Sequence, residues 1–124
     1  MDPYLIIAFG SALGGALRHG VNVTSARLLG DGWPYGTLIV NVAGSFAMGL
    51  IAEYFALKGQ APQAWRLFLT TGILGGFTTF SAFSLDIALF YERGQWASAL
   101  IYAGSSVIIS IIALFAGLSL IRHL

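Results

Sequence analysis

The sequence predicts an all-α integral membrane protein that forms a single domain over residues 1–124. Three observations point to this class. Hydrophobic residues make up 57% of the chain and charged residues only 9%, whereas a water-soluble domain has about 25% charged residues. The mean hydropathy is +0.83. Apolar segments of about 20 residues, the length a helix needs to cross a bilayer, recur along the chain.

Four segments have this length and composition, at about residues 4–26, 35–57, 64–90 and 96–121. The links between them contain proline, glycine and charged residues, which favour turns over helix. Aromatic residues fall near the predicted ends, as expected for a belt at the membrane interface: Trp33, Tyr35, Trp65, Tyr91 and Trp96. We therefore expect four transmembrane helices.

Composition also argues against several other functions. The net charge of +1 is too small for nucleic-acid binding. The absence of cysteine excludes disulfides, cysteine zinc sites and thiol nucleophiles. His19 and His123 lie near segment ends without a plausible catalytic triad, so we expect no enzyme. Asp2 and Pro3 precede the first apolar run in place of a basic region, so we expect no cleavable signal peptide.

The first segment combines small residues with one arginine. Gly10, Gly14 and Arg18 recur at four-residue spacing, and Gly10 to Gly14 forms a GxxxG motif that lets helices approach closely. Arg18 lies well inside the predicted helix end. It is either an anchor that extends to the interface or a buried arginine with a polar or anionic partner.

The second segment has one stripe of polar and small residues at every fourth position, formed by Thr37, Asn41, Ser45 and Gly49. Asn41 is the member that is hardest to place in lipid. Its side chain either joins helices by hydrogen bonds, as membrane amides commonly do, or offers N–H donors to an anion.

The third segment contains an unusual run at 75–84, GGFTTFSAFS. Two adjacent glycines lower helix propensity by roughly 1 kcal/mol each, and threonine hydroxyls compete for backbone hydrogen bonds. We predict a helix that is interrupted between Gly75 and Thr78 and then resumes. In transporters such interruptions mark ion sites, because unwound carbonyls can coordinate a cation. Phe80 and Phe83 are three residues apart and share a helix face.

The fourth segment carries Tyr102, Ser106 and Ser110 at four-residue spacing. Three aligned hydroxyls indicate a polar track that faces other protein, or a face that packs against the Asn41 stripe. Asp86, at the end of the third segment, lies either inside the membrane or at a pore mouth.

The positive charges give almost no preference for one orientation. Lys58, Arg66 and Arg122 lie on one predicted side, and Arg27 and Arg93 on the other, with Arg18 as a possible third. Because a Lys/Arg imbalance orients membrane proteins, we predict that the chain inserts both ways up. Opposite copies could then pair as an antiparallel homodimer.

Three motifs resemble the Fluc (CrcB-type) fluoride channel family: GGALR at 14–18, GTLIVNVAGSF at 36–46 and GILGGFTTFSAFS at 72–84. With length and span count, the resemblance covers essentially the whole chain. It implies an antiparallel dual-topology homodimer with two fluoride pores in a bacterial inner membrane, and passive efflux that lowers cytoplasmic fluoride. It also implies a structural sodium ion held between the subunits by the backbone carbonyls of Gly75 and Thr78.

The resemblance further implies the residues of the fluoride pathway, which are Arg18, Thr37, Asn41, Thr79, Phe80, Ser81, Phe83, Tyr102, Ser106 and Ser110. Fluoride is small and strongly hydrated, so a pore must replace its water with amide and hydroxyl donors. Phenylalanine rings carry a positive edge that can line an anion path without the full charge that would trap the ion.

The sequence departs from the family pattern at two positions. Ala82 stands where the family has a hydroxyl, so we expect one donor fewer near the pore and a lower flux. Asp86 stands near the position where the family often has glutamate, so the carboxylate has a shorter arm.

The sequence leaves two alternative functions. A small multidrug exporter also has four spans and often dual topology, but it needs a carboxylate in the first helix, and residues 4–26 contain none. A non-transporting scaffold subunit would use the polar stripes only to join helices. Fluoride efflux from liposomes distinguishes both alternatives from a channel.

Overall fold

The computed structural model describes residues 2–59 and 62–124, and within these ranges the regular structure is entirely helical. The helices are α1 (Pro3–Leu29), α2 (Tyr35–Lys58), α3 (Gln63–Leu67), a π-helical segment (Phe68–Leu74), α4 (Gly75–Phe77), α5 (Ser81–Glu92) and α6 (Trp96–Arg122). Each predicted segment end lies within three residues of an observed one, because turn-forming residues end the helices. Gly30 and Gly59, which end α1 and α2, have φ values of 83° and 53° that favour glycine.

Three stretches of the described chain are long and apolar enough to cross a membrane: α2, the interrupted stretch Gln63–Glu92, and α6. The chain is therefore a multi-pass membrane protein. Helix α1 has 27 residues but is less apolar than α2 and α6, and it does not meet the same criterion of hydropathy.

Glycine contacts join the long helices. On α1, a Cβ at Gly10 would lie 2.8 Å from the Gly72 Cα, and a Cβ at Gly14 would meet the Ile73 carbonyl oxygen. The close approach predicted for the GxxxG motif is confirmed, and its partner is the π-helical segment. Helices α2 and α6 approach in the same way at Gly49 and Gly117, where a Cβ on either would meet the other helix's backbone.

The third span is interrupted, as predicted, but the place and the cause differ from the prediction. Gly75 and Gly76 are helical, and the backbone leaves the helix at Thr78, whose φ and ψ are −85° and 159°. Gly76 serves packing instead, because a Cβ there would lie 2.9 Å from the Ser11 Cα. The π-helical segment just before the break, absent from the prediction, is a feature often found at functional sites.

An aromatic cluster holds α5, α6 and the α1–α2 link together. Phe83, Phe90, Ala99 and Tyr102 are buried in contact with one another. The Trp33 ring lies 5.1 Å from the Phe90 ring and 5.9 Å from the Tyr102 ring. The link between α1 and α2 is thereby packed over one end of the bundle.

Candidate functional site

A groove of about 340 Å³ lies between α2, α6 and the helix break. Helix α2 contributes Asn41 and Ser45, α6 contributes the two serines of its stripe, and the break contributes both threonines and both phenylalanines. The polar and aromatic residues of the lining are Asn41, Ser45, Thr78, Thr79, Phe80, Phe83, Ser106 and Ser110. Two members of the α2 stripe, Asn41 and Ser45, therefore face the same space as two members of the α6 stripe, Ser106 and Ser110.

Two hydroxyls in this groove are buried without a hydrogen-bond partner among the described residues. They belong to Ser106, which is 3% exposed, and to Ser110, one turn further along α6. Their neighbour Ser105 differs, because its hydroxyl donates to the Tyr102 carbonyl oxygen of the same helix. A buried, unpaired hydroxyl costs about 1–3 kcal/mol, so the groove offers two donors that gain energy from an acceptor.

Asn41 contacts the break from α2 through both ends of its amide. Its Nδ2 donates to the Thr79 carbonyl oxygen at 2.9 Å, and its Oδ1 accepts from the Thr79 backbone N–H at 2.8 Å. The interhelical role considered for this residue is therefore present. One of the two Nδ2 hydrogens remains for another acceptor.

Phe80 and Phe83 lie side by side, with ring centroids 5.7 Å apart and planes inclined at 57°. Phe80 is 76% exposed, whereas Phe83 belongs to the buried aromatic cluster and is 6% exposed. Ser81, also predicted as a site residue, is exposed and does not line the groove. Its hydroxyl lies 3.5 Å from the Thr79 hydroxyl.

A second, more polar cavity of about 390 Å³ lies below the α1–α2 link. Its lining includes Thr37, Ala82 and Asp86, along with Asn22, Ser25, Asp31 and Arg93. Tyr102 is 0% exposed, and its hydroxyl donates to the Asp86 carboxylate at 2.9 Å. Thr37 thus lines this cavity and Tyr102 lines neither space, so both are separated from Ser106 and Ser110. Ala82 lines this cavity and not the groove, so the hydroxyl expected to be missing would belong here.

Phe83, which lines the groove, packs against Tyr102 with ring centroids 5.3 Å apart. The Asp86–Tyr102 hydrogen bond was not predicted. The partners are 16 residues apart on different helices, and no local spacing signals such a pair.

Arg18 lines neither of these two spaces. It is half-buried, and its Nε donates to the Gly76 carbonyl oxygen at 3.2 Å. Of the two interpretations offered for this residue, the arginine with a polar partner is the one observed. The partner is a backbone carbonyl at the end of α4, where helix carbonyls are left unpaired and attract a cation.

The predicted cation ligands are Gly75, the first residue of α4, and Thr78, the residue that follows its end. Gly75 is exposed and lines a third cavity of about 640 Å³ together with Arg66, Thr70 and Thr71. Thr78 lines the groove, and its side-chain hydroxyl donates to the Leu74 carbonyl oxygen at 2.9 Å. Arg66, which the sequence indicates only as an orienting charge, lines this cavity together with Gly75.

Comparison with known proteins supports a single family. A family model described as CrcB-like protein, Camphor Resistance (CrcB), matches residues 5–118. A protein named fluoride-specific ion channel FluC 2 from Nitrobacter hamburgensis is 55% identical over 121 residues, covering 98% of both chains. Proteins named fluoride-specific ion channel FluC from Methylobacterium nodulans and Granulibacter bethesdensis are 58% and 55% identical, covering 96% and 100% of this chain and 95% and 98% of theirs.

Proposed function

Because this chain belongs to the CrcB-like protein family, we propose that it is a fluoride-selective ion channel of a bacterial inner membrane. Its role would be passive efflux that keeps cytoplasmic fluoride low. The observation on this chain that carries the proposal is the groove with the two buried, unpaired hydroxyls of Ser106 and Ser110.

The two serine hydroxyls suit a small anion. Each O–H is a donor, and one helical turn separates them by about 6 Å along α6. An ion can be passed from one to the other while the free N–H of Asn41 contributes a third donor. Donors that are neutral bind fluoride without holding it as tightly as a full charge would, which conduction requires.

Phe80 and Phe83 would complete the path on the side of the break. Aromatic ring edges carry partial positive charge, and both rings line the groove. A strongly hydrated ion would exchange its water for the side-chain donors of the groove as it passes these ring edges.

We also propose a structural sodium ion held by the backbone carbonyls of Gly75 and Thr78. Hard carbonyl oxygens suit a hard cation. Both carbonyls fit the role, because the N–H groups that would pair with them in a continuous helix bind side chains instead: Thr79 N–H binds Asn41 Oδ1, and Ala82 N–H binds Thr79 Oγ1. The positive charge would favour an anion in the neighbouring groove.

An antiparallel homodimer of four-span subunits would complete the assembly. With 27 residues, α1 is about 40 Å long, which is enough to cross the hydrocarbon core. The third span leaves several polar or small residues exposed on the isolated chain: Thr71, Gly75, Ser81 and Ser84. A second copy that covered this face would remove these groups from lipid and bring a second pair of carbonyls to the cation.

Purified protein in liposomes tests the channel function. We expect fluoride efflux that is far faster than chloride efflux and that does not require a pH gradient. Ser106→Ala and Ser110→Ala should each reduce fluoride efflux, whereas Ser105→Ala should retain it, because the Ser105 hydroxyl is occupied within its own helix. Fluoride release no faster than from protein-free liposomes would reject the proposal. Dependence on a pH gradient would favour an exporter instead.

A further inference from the structure

We propose that Asn41 and Thr79 are positioning residues that hold the third span open. The side chain of each residue accepts a hydrogen bond from one backbone N–H that a continuous helix would pair with a carbonyl oxygen. Through this role, which rests on the proposed function, they would set the affinity of the sodium site formed by Gly75 and Thr78. Asn41 would then act on the cation site as well as on the anion path.

The first N–H is that of Thr79. In a continuous α-helix it would donate to the carbonyl oxygen four residues earlier, which is that of Gly75. Here it donates to Asn41 Oδ1 at 2.8 Å, while Asn41 Nδ2 binds the Thr79 carbonyl oxygen at 2.9 Å. The asparagine amide thus pairs with both sides of one residue, which fixes the orientation of its backbone and leaves the Gly75 oxygen available.

The second N–H is that of Ala82, whose helical acceptor would be the Thr78 carbonyl oxygen. It donates instead to Thr79 Oγ1 at 3.1 Å. Thr79 therefore caps the start of α5 from three residues earlier, in the manner of an N-cap threonine. This hydrogen bond leaves the Thr78 oxygen available as well.

Helix α2 is seated closely enough to maintain this arrangement. A Cβ at Gly44, one turn beyond Asn41, would meet the Thr78 side chain. The backbone of α2 therefore lies directly against the break. By contrast, the glycines at the break adopt helical geometry, with a φ of −62° at Gly75, so they do not account for the opening.

Amide hydrogen exchange, measured on the full-length protein in detergent, tests this proposal. Sodium is titrated, and N-methylglucamine replaces it to keep the ionic strength constant. In the native protein the Thr79 and Ala82 amides should be protected. Asn41→Ala should speed exchange at Thr79, and Thr79→Val should speed exchange at Ala82, each by about tenfold, as expected for one lost hydrogen bond. We expect bound sodium to slow amide exchange across residues 75–82. In both variants, the sodium concentration needed for this slowing should be about tenfold higher than in the native protein.

Two controls separate positioning from a general effect on folding. Thr79→Ser keeps the capping hydroxyl and should restore native exchange and sodium affinity. Ser45→Ala removes a hydroxyl one turn from Asn41 in the same groove and should leave the Thr79 amide unchanged. Loss of protection in these controls to the same extent would overturn the proposal.

The remaining outcomes are equally decisive. Native exchange rates at Thr79 in Asn41→Ala would overturn the role of Asn41, and a native sodium requirement in both variants would overturn the link to the cation. The Thr79 amide could depend on Asn41 for its protection while the protein shows no fluoride efflux. That result would support this inference and contradict the proposed channel.

Discussion

Substitution of two adjacent glycines on α1 offers a sharp test of how the broken span is held. Gly14→Ala places a Cβ 2.8 Å from the Phe77 backbone nitrogen and 2.9 Å from the Ile73 carbonyl carbon, where ordinary contacts begin at 3.4 Å. These are backbone atoms, so no side chain can move aside. Gly15→Ala places its Cβ where, apart from the adjoining backbone of α1, no atom of the described chain lies within 4 Å.

The two substitutions should have different effects on the free energy of unfolding. Gly14→Ala should lower the free energy of unfolding by about 1–3 kcal/mol, the usual cost of overpacking a tight interface. Gly15→Ala should leave it unchanged or raise it by up to about 1 kcal/mol, because alanine favours helix more than glycine. Gly14→Ala should also reduce fluoride efflux, because the displaced α4 carries the Gly75 carbonyl and the Gly76 carbonyl that binds Arg18.

The assays are unfolding titrations followed by helical circular dichroism, and fluoride efflux from liposomes. The matched pair controls for the chemical change, since both variants add one methyl group to the same helix. Equal unfolding free energies for the two variants, or a loss confined to Gly15→Ala, would refute the close packing of α1 on the broken span.

Three further predictions concern the path, the orientation and the second cavity. Phe80→Ile should cut fluoride efflux without loss of stability, because this ring is largely exposed. Phe83→Ile should lower efflux and also lower the free energy of unfolding by about 1–3 kcal/mol, because this ring is buried. Unchanged efflux in both variants would reject the role of ring edges. Gly32→Lys adds a charge to the α1–α2 link, where a side chain has open space, and protein driven into one orientation by this charge should lose fluoride efflux. A single introduced cysteine reports the orientation in this cysteine-free chain. Full efflux from protein in one orientation would contradict the antiparallel dimer. Tyr102→Phe should lower the free energy of unfolding by about 1–3 kcal/mol, because it leaves the Asp86 carboxylate without its hydrogen-bond donor. A double-mutant cycle with Asp86→Ala should show non-additive losses of stability, and additive losses would contradict this pairing.

Much of the site follows from local spacing along the chain. Asn41 on α2 and the Ser106–Ser110 pair on α6 were each recognised from a four-residue repeat, which places residues on one helix face. The structure brings both faces to the same groove. The repeat does not predict that Tyr102 turns towards Asp86. Residues one turn apart on α6 can contact different neighbouring helices, although they share a helix face.

The helix break shows the limit of such reasoning. Glycine propensity and threonine hydroxyls predict an interruption between Gly75 and Thr78, yet Gly75 and Gly76 stay helical, and Gly76 packs against Ser11 of α1. The break lies at Thr78 to Phe80, where Asn41, 38 residues away, supplies the hydrogen bonds that the helix gives up. Propensity describes one segment in isolation, so it cannot register a partner on another helix.

By itself, the sequence determined that this is a helical membrane protein, where its long apolar segments start and end, and which polar residues share a face. These are properties of hydropathy and of helical periodicity, and both act over a few turns of a single chain segment. Only the tertiary structure decided which faces meet, where the third span opens and which carbonyls it leaves available. Those outcomes depend on backbones that approach through glycine contacts and on hydrogen bonds between residues that are far apart in the chain.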